Sequence, residues 1–303
     1  MITVFTPTYN RAYCIRNVYE SLIKQTYRDF EWLVINDGSI DNTDEVINNC
    51  INENKINIRY YKQENGGQHR ALNKAIELAK GYMLMIVDSD DDLTNDALEY
   101  IVKYESTILN KEDYAGVSGL RCYRDGKKIG TPWPDEKQEY IDATGIERYK
   151  KKIMLGDKAE AYYLDVLKKF YPIPSFEGEN DVEKGVLWNR IGAAGLKIRW
   201  FNKAIYNCEY LSDGMSKNMI NNYIKNINGY LLYINEFIHY DIGFIRKIKT
   251  IIVTCEIARR KKINIMKLSK KININPILLF PLYICSYISI FRYPIRQFKR
   301  KFS

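Results

Sequence analysis

EWLVINDGSIDNTDEVINN, residues 31–49, sets a strand, a polar turn and the start of a helix in one uninterrupted stretch. Glu31–Ile35 is an apolar run of the kind that fills a buried strand. Asn36-Asp37-Gly38-Ser39 closes it, and Asp41–Ile51 reads as a helix with Asp41 or Asn42 at its N-cap. The same unit recurs on both sides. Ile2–Thr6 is a short apolar run ended by Pro7, and residues 12–25 put Ile15, Val18, Tyr19, Leu22 and Ile23 at helical spacing. Downstream come a strand at Ile58–Tyr61, a helix at Gln68–Ala79, a strand at Tyr82–Val87 and a helix at Thr94–Leu109. This alternation predicts parallel βαβ units in an open, doubly wound α/β sheet. Ligands on such sheets sit beyond the carboxyl ends of the strands. Residues 6–10, 36–39, 65–68 and 88–92 are therefore expected along one polar rim.

From about residue 115 the pattern is mixed, with strands expected at 117–123, 159–164, 197–201 and 204–208 and a helix at Val186–Ala194. After Ser212 it becomes helical, with amphipathic stretches at 219–240 and 244–262. We expect one domain over 1–215, with halves 1–110 and 111–215, and a basic helical region over 216–303. A hydrophobic content of 46% in 303 residues supports a real core and excludes wholesale disorder. The net charge of +9 is not spread evenly, because residues 243–303 hold 15 Lys or Arg against one acid, Glu256. The body is therefore mildly acidic. This argues against nucleic acid as a partner and for an anionic membrane surface touched by the tail. Residues 277–291, ILLFPLYICSYISIF, are uncharged but shorter than the ~20 apolar residues a membrane span needs, so they are expected to lie in the interface or dock on the protein. The six scattered cysteines read as buried free thiols. Met1 leads straight into the first strand, from which we expect a cytoplasmic location, and the basic tail adds the expectation of the inner face of the plasma membrane.

Asp88-Ser89-Asp90-Asp91-Asp92 directly follows an apolar strand. Carboxylates so crowded repel one another, and a divalent cation such as Mn²⁺ or Mg²⁺ relieves that repulsion while also contacting phosphates. The plainer reading is a solvated turn whose Asp91 or Asp92 caps the next helix. Asp37 at the end of the second strand is suited to accept from the imide N–H of a uracil-like base. Asn65-Gly66-Gly67-Gln68 opens a helix, where backbone can approach a ligand and the N-terminus favours phosphate.

Together these segments are identified as those of family 2 glycosyltransferases. TPTYNR (6–11), SLIKQTYRDFEWLVINDGSIDNT (21–43) and ENGGQHRALNKAIELAKGYMLMIVDSDD (64–91) resemble that family in order and spacing. The resemblance implies the GT-A fold, a Rossmann-like nucleotide-diphospho-sugar transferase fold, here with a helical C-terminal extension. It implies that Thr6, Pro7, Thr8 and Tyr9 line the nucleotide pocket and that Asp37 reads the base. Asn65 and Gly67 would approach the nucleotide, with His69, Arg70 and Asn73 as further candidates on the following helix. Asp88-Ser89-Asp90 would be the family's DXD motif, with Asp88 and Ser89 at the nucleotide sugar, Asp88 on its ribose or diphosphate, and Asp90 holding the metal with Asp88 second to it.

A further segment, Glu183-Lys184-Gly185-Val186-Leu187-Trp188-Asn189-Arg190, resembles the family's Glu-Asp-x-x-Leu-Trp-x-Arg stretch, which carries the catalytic base of inverting members. Lys184 stands where the family has Asp. Glu183 is the chosen base, with Glu179 and Asp181 as alternatives and Glu177 nearby. YLSDGMS (210–216) resembles the end of bacterial catalytic domains, where many relatives place a metal-binding His that this chain lacks; Asp213 reads first as a loop aspartate that satisfies backbone, with substitution for that His as the alternative. The implied activity is inverting, metal-dependent transfer of a hexosyl or N-acetylhexosaminyl group. The donor would be a nucleotide sugar, a UDP-sugar first, and the acceptor a glycan or lipid-linked molecule of envelope polysaccharide synthesis. A silent nucleotide-sugar-binding subunit of an assembly complex is the alternative.

Overall fold

The computed structural model describes residues 1–209 and 219–287. Its centre is β1 (Ile2–Thr8), which pairs in parallel with β2 (Phe30–Asn36) on one side and β4 (Met83–Ile86) on the other. β3 (Asn57–Lys62) extends β2 in parallel and forms the edge. The connecting helices are α1 (Ile15–Leu22), α2 (Thr43–Glu53) and α3 (Gln68–Leu78). All residues of β1 and β2 are buried, as strands covered on both faces must be. Glu31 in that core survives through Arg59 at 3.1 Å, the Thr3 hydroxyl at 2.7 Å and the Lys80 amide.

Beyond β4 the sheet is no longer purely parallel. The short β5 (Asp92–Leu93) and α4 (Ala97–Ser106) are followed by β6 (Tyr114–Tyr123), β7 (Tyr140–Ala143), α5 (Gly145–Lys151), β8 (Lys158–Tyr163) and α6 (Leu164–Phe170). Next come α7 (Gly185–Ala193) and β9 (Lys197–Cys208). The nine strands run β3-β2-β1-β4-β8-β6-β9-β5, with β7 on β9. β8 lies antiparallel to both β4 and β6. The parallel, doubly wound arrangement expected over the first 110 residues is found there, and the whole is a mixed α/β sheet with flanking helices. The two strands expected at 197–201 and 204–208 are one strand, because the polar Asn202-Lys203 step is absorbed as a register shift against β6 rather than as a break.

The helices of the C-terminal region are α8 (Met219–Lys225), α9 (Ile227–Phe237), α10 (Phe244–Arg260), α11 (Ile265–Lys271) and α12 (Pro276–Cys285). The single helix expected over 219–240 is broken at Asn226. Its amide donates to Asn222 and accepts from the Asn180 N–H, a side-chain competition that helices tolerate poorly. Ile227, Leu231, Ile234, Ile257, Leu268, Ile272 and Leu279 form a second apolar cluster apart from the main core. No helix among the described residues is long and apolar enough to cross a membrane.

Glu179 ties this cluster to the sheet domain. Its carboxylate accepts from the Asn228 N–H and side chain, both at 2.8 Å, and from the Gly229 N–H at 2.9 Å. These are first-turn donors of α9, which no intrahelical acceptor serves and where negative charge is favoured. Glu179→Ala should therefore cost about 2–3 kcal/mol, the range for hydrogen bonds to a charged group. Urea denaturation should show the loss, and hydrogen exchange should locate it in α9. An unchanged midpoint and exchange pattern would show that Glu179 does not hold the helix.

Candidate active site

The four rim segments do converge at the carboxyl ends of the parallel strands, and side chains fix each of them. Asp37 follows β2, and its carboxylate accepts from Gln63 at 2.7 Å, the Gly66 N–H at 2.9 Å and the Gly67 N–H at 2.7 Å. Asn65 donates back to the Asp37 carbonyl. Asp37 thus organises the glycine loop, leaving at most one of its roughly four acceptor sites for a base. Gly67 takes φ +91°, and a Cβ there would lie 1.7 Å from the Asn180 carbonyl oxygen, so no side chain fits.

At the end of β1 the outcome is divided. Thr6 is fully buried and accepts from the Trp32 indole at 2.9 Å, so its side chain belongs to the core and not to the rim. Pro7 is buried beside it, whereas Tyr9 is exposed. Thr8 is 2% exposed, yet its hydroxyl has no partner among the described residues. A buried unsatisfied hydroxyl at a rim is what a ligand-contacting group looks like before its ligand arrives.

Asp88 and Ser89 follow β4. Ser89 is buried, and its carbonyl accepts from the Cys14 thiol. Asp88 faces Arg121 of β6 at 3.4 Å and Lys184 at 3.7 Å, and its N–H donates to the Tyr206 hydroxyl at 2.9 Å. Burial opposes its charge, but Lys184 and Arg121 prevail and hold the carboxyl below the usual range. Burial, with repulsion from Asp88, pushes Asp91 up to about 7. Asp91 accepts from the Glu209 N–H, and Asp92 pairs with Arg124 at 2.9 Å and Asn207 at 2.7 Å. Neither caps a helix; Asp96 sits at the N-cap of α4. Part of the charge relief assigned to a cation therefore comes from side chains. No group of three or more His, Cys, Asp or Glu is placed to hold a metal among the described residues. Asp90, with Asp88 second, still fits a hard divalent ion that takes one or two carboxylates and shares the rest of its shell with a diphosphate.

Sequence reasoning missed Arg121 and Tyr206. The guanidinium lies 3.9 Å from the Tyr206 ring centre and donates to the Lys158 carbonyl at 2.9 Å. One signal was available: Arg121 interrupts an otherwise apolar strand, and a charge there requires a partner.

The α3 candidates act as braces. Asn73 exchanges two hydrogen bonds with the Ile173 backbone, at 2.8 and 2.9 Å, which commits its amide to the protein. Arg70 donates to Ser175. His69 is fully buried, with Nε2 3.1 Å from Ser175 Oγ and Nδ1 unpartnered among the described residues.

The Glu183 segment precedes α7, which is held by Trp188 stacked on Tyr162 at 4.3 Å and by Arg190 on Glu236 at 2.6 Å. Glu183 is hydrogen-bonded to Tyr223. Burial, with Asp181 adding to it, raises its carboxyl above the ordinary value. Asp181, also raised by burial, accepts from Asn222. Glu179 is spent on α9 and Glu177 is exposed, which leaves Glu183 and Asp181 as carboxylates for proton transfer. Residues 210–216, with Asp213, lie outside the described residues.

Comparison with known proteins agrees with this geometry. The profile of glycosyl transferase family 2 matches residues 3–165, more than half of the chain. The chain belongs to glycosyl transferase family 2. It is 41% identical to hyaluronan synthase of Pasteurella multocida over 153 residues, which is 49% of this chain and 15% of that protein. A further family 2 relative, an uncharacterized glycosyltransferase of Haemophilus influenzae, is 24% identical over 267 residues, 79% of this chain and 98% of its own. Among solved structures, residues 1–349 of S. aureus TarS in complex with UDP-GlcNAc give a TM-score of 0.58 at 20% identity, covering 86% of this chain and 72% of that one. That likeness establishes the GT-A fold of this family 2 chain. The chain spans about a seventh of that synthase and nearly all of the Haemophilus relative.

His69 supplies a pH test of the packing between α3 and Ser175. Burial, with Arg70 adding to it, lowers its pKa from 6.5 to about 4. The unfolded chain therefore binds a proton that the folded chain refuses between those values. Stability from the neutral imidazole is complete above the unfolded pKa and is lost as pH falls towards 4, by up to about 3 kcal/mol. Chemical denaturation at pH 7 and pH 4.5 should show a smaller acid loss for His69→Gln than for the wild type. Equal losses would mean that His69 titrates normally.

Proposed function

We propose that this chain transfers a sugar from a nucleoside-diphosphate sugar, a UDP-sugar first, to a glycan or lipid-linked acceptor of the bacterial envelope, with inversion at the anomeric carbon. The observation that carries this reading is the convergence at one rim of the Asp37-held glycine loop, the unpartnered Thr8 hydroxyl and the Asp88/Asp90 pair. Kinship with a hyaluronan synthase supports the sugar chemistry and leaves the particular donor and acceptor open to trial.

In this reading Thr8, Asp37 and the 65–67 loop position the nucleotide. Asp90, with Asp88 second, would hold Mn²⁺ or Mg²⁺, which when bound neutralises charge developing on the leaving diphosphate. Glu183 takes the proton of the acceptor hydroxyl as its oxygen attacks the anomeric carbon and the bond to the diphosphate breaks. Its raised affinity for protons suits a base, and the Tyr223 hydrogen bond fixes its direction. A panel of UDP-sugars, with and without Mn²⁺, should reveal one donor whose UDP is released on transfer. Glu183→Gln should keep donor affinity near wild type and cut transfer by roughly 10²- to 10⁴-fold. Asp90→Asn should lose metal-dependent UDP binding. Full transfer by the Glu183 variant would pass the role to Asp181, and failure of every nucleotide to bind the wild type would end the donor reading.

We also place the protein at the cytoplasmic face of the membrane. α12 exposes Ile277, Leu278, Phe280 and Ile284 while burying Leu279 in the second cluster. Lys270 and Lys271 precede it; the bases after Phe291 lie outside the described residues. An apolar face in so basic a region matches an anionic bilayer surface. Deleting the region would remove Ile272 and Leu279 from the second core, so surface substitution is the cleaner probe. Ile277→Ser, Leu278→Ser and Phe280→Ser together should abolish co-sedimentation with phosphatidylglycerol vesicles at an unchanged melting temperature. If the wild type ignores such vesicles, the membrane assignment is wrong.

A further inference from the structure

Lys184 stands where the family resemblance led us to expect an acid, and its position beside Asp88 gives it a different use. Two cations face the Asp88 carboxylate, and they differ in freedom. Arg121 is fixed: its Nε is bonded to the Lys158 carbonyl, its plane lies over Tyr206, and its side chain is 15% exposed. Lys184 Nζ stands 3.7 Å from Asp88 Oδ1, beyond the ~2.7–2.9 Å of a tight charge-assisted hydrogen bond. Its side chain is 28% exposed and that of Asp88 25%, so both face open space at the rim. A lysine ammonium is a point charge on a flexible stem, free to exchange one anion for another.

We propose that Lys184 is a donor-contacting residue, which neutralises Asp88 in the empty protein and moves onto the diphosphate of the nucleotide sugar when that ligand arrives. The proposal rests on the donor reading above and deepens it. A diphosphate bound beside Asp88 and Asp90 brings negative charge within reach of the ammonium. If those carboxylates hold a divalent ion, its charge would also oppose the resting place of the ammonium, so both changes would favour one direction. Arg121 cannot follow, because its other donor and its ring stacking hold it to β8 and β9. Lys184 would then share the neutralisation of the diphosphate with the metal, and the chain should bind its donor with less dependence on divalent cation than an acid at this position would allow.

Calorimetry with the full chain tests this, using UDP and uridine as probes in Mn²⁺ and in EDTA, on wild type, Lys184→Met and Lys184→Arg. Lys184→Met should weaken UDP by roughly 10- to 100-fold, the worth of one charge-assisted bond, and leave uridine affinity unchanged. The loss should be larger in EDTA than in Mn²⁺, and Lys184→Arg should restore most of it. Melting temperatures within a degree or so of wild type would show that the fold is not the cause, and Lys184→Gln replaces the Met variant if that one misfolds. UDP affinity that is unchanged or tighter in Lys184→Met overturns the proposal and leaves Lys184 a counter-ion that competes with the metal. Wild type that binds uridine but neither UDP nor any UDP-sugar overturns the donor reading itself.

Discussion

Residues 171–184 join the donor side of the sheet to the C-terminal helices, and nearly every polar contact they make is with one side or the other. Ile173 is clasped by Asn73, Ser175 meets His69 and Arg70, and the Asn180 carbonyl presses on Gly67. Glu179 and Asp181 turn the other way, to α9 and α8, while Lys184 reaches back to Asp88. The segment has no regular structure, so its backbone groups and short polar side chains are free to make these bonds. Its path decides where Glu183 stands, and with it the distance between that carboxylate and the rim formed by Asp37 and Asp88.

The rim also shows how crowded carboxylates are kept in a fold. Asp88, Asp91 and Asp92 each have a basic partner, and Asp91 also relaxes by holding its proton near neutrality. Two like charges a few ångströms apart repel by several kcal/mol at the dielectric of a protein surface, more than one hydrogen bond returns. Arg121 has a central part because it serves two of the three while anchored on Tyr206. That arrangement makes the second half of the sheet, β6 and β9, a working part of a site whose motifs lie in the first.

The first half was legible because its signals are local. A strand ending in Asn-Asp-Gly or Asp-Ser-Asp announces both its burial and its polar terminus within a few residues, and Asp37 and Asp88 were placed at the ends of β2 and β4 that way. Thr6 was misjudged because alternation along β1 sends its hydroxyl to Trp32, a contact across two strands that spacing does not display. Asn73 and Glu179 were misjudged for a related reason, since a polar side chain near a site serves backbone as readily as ligand. β5 and β7, with two and four residues, exist through pairing with β9 and carry no periodicity of their own. Arg121 and Tyr206 needed the antiparallel half to be assembled before their proximity to Asp88 could be seen.

Gly67 has a bearing on protein engineering. The space a side chain would need there is filled by a carbonyl from residue 180, so the 65–67 loop and the irregular segment that leads to Glu183 share one wall. A chimera that imports the 65–67 loop from a relative inherits half of a fitted pair. Unless the matching stretch up to residue 184 travels with it, the graft disturbs both the loop that we propose for the donor and the position of Glu183. The exchangeable unit for redesigning sugar choice is thus two segments distant in sequence, moved as one.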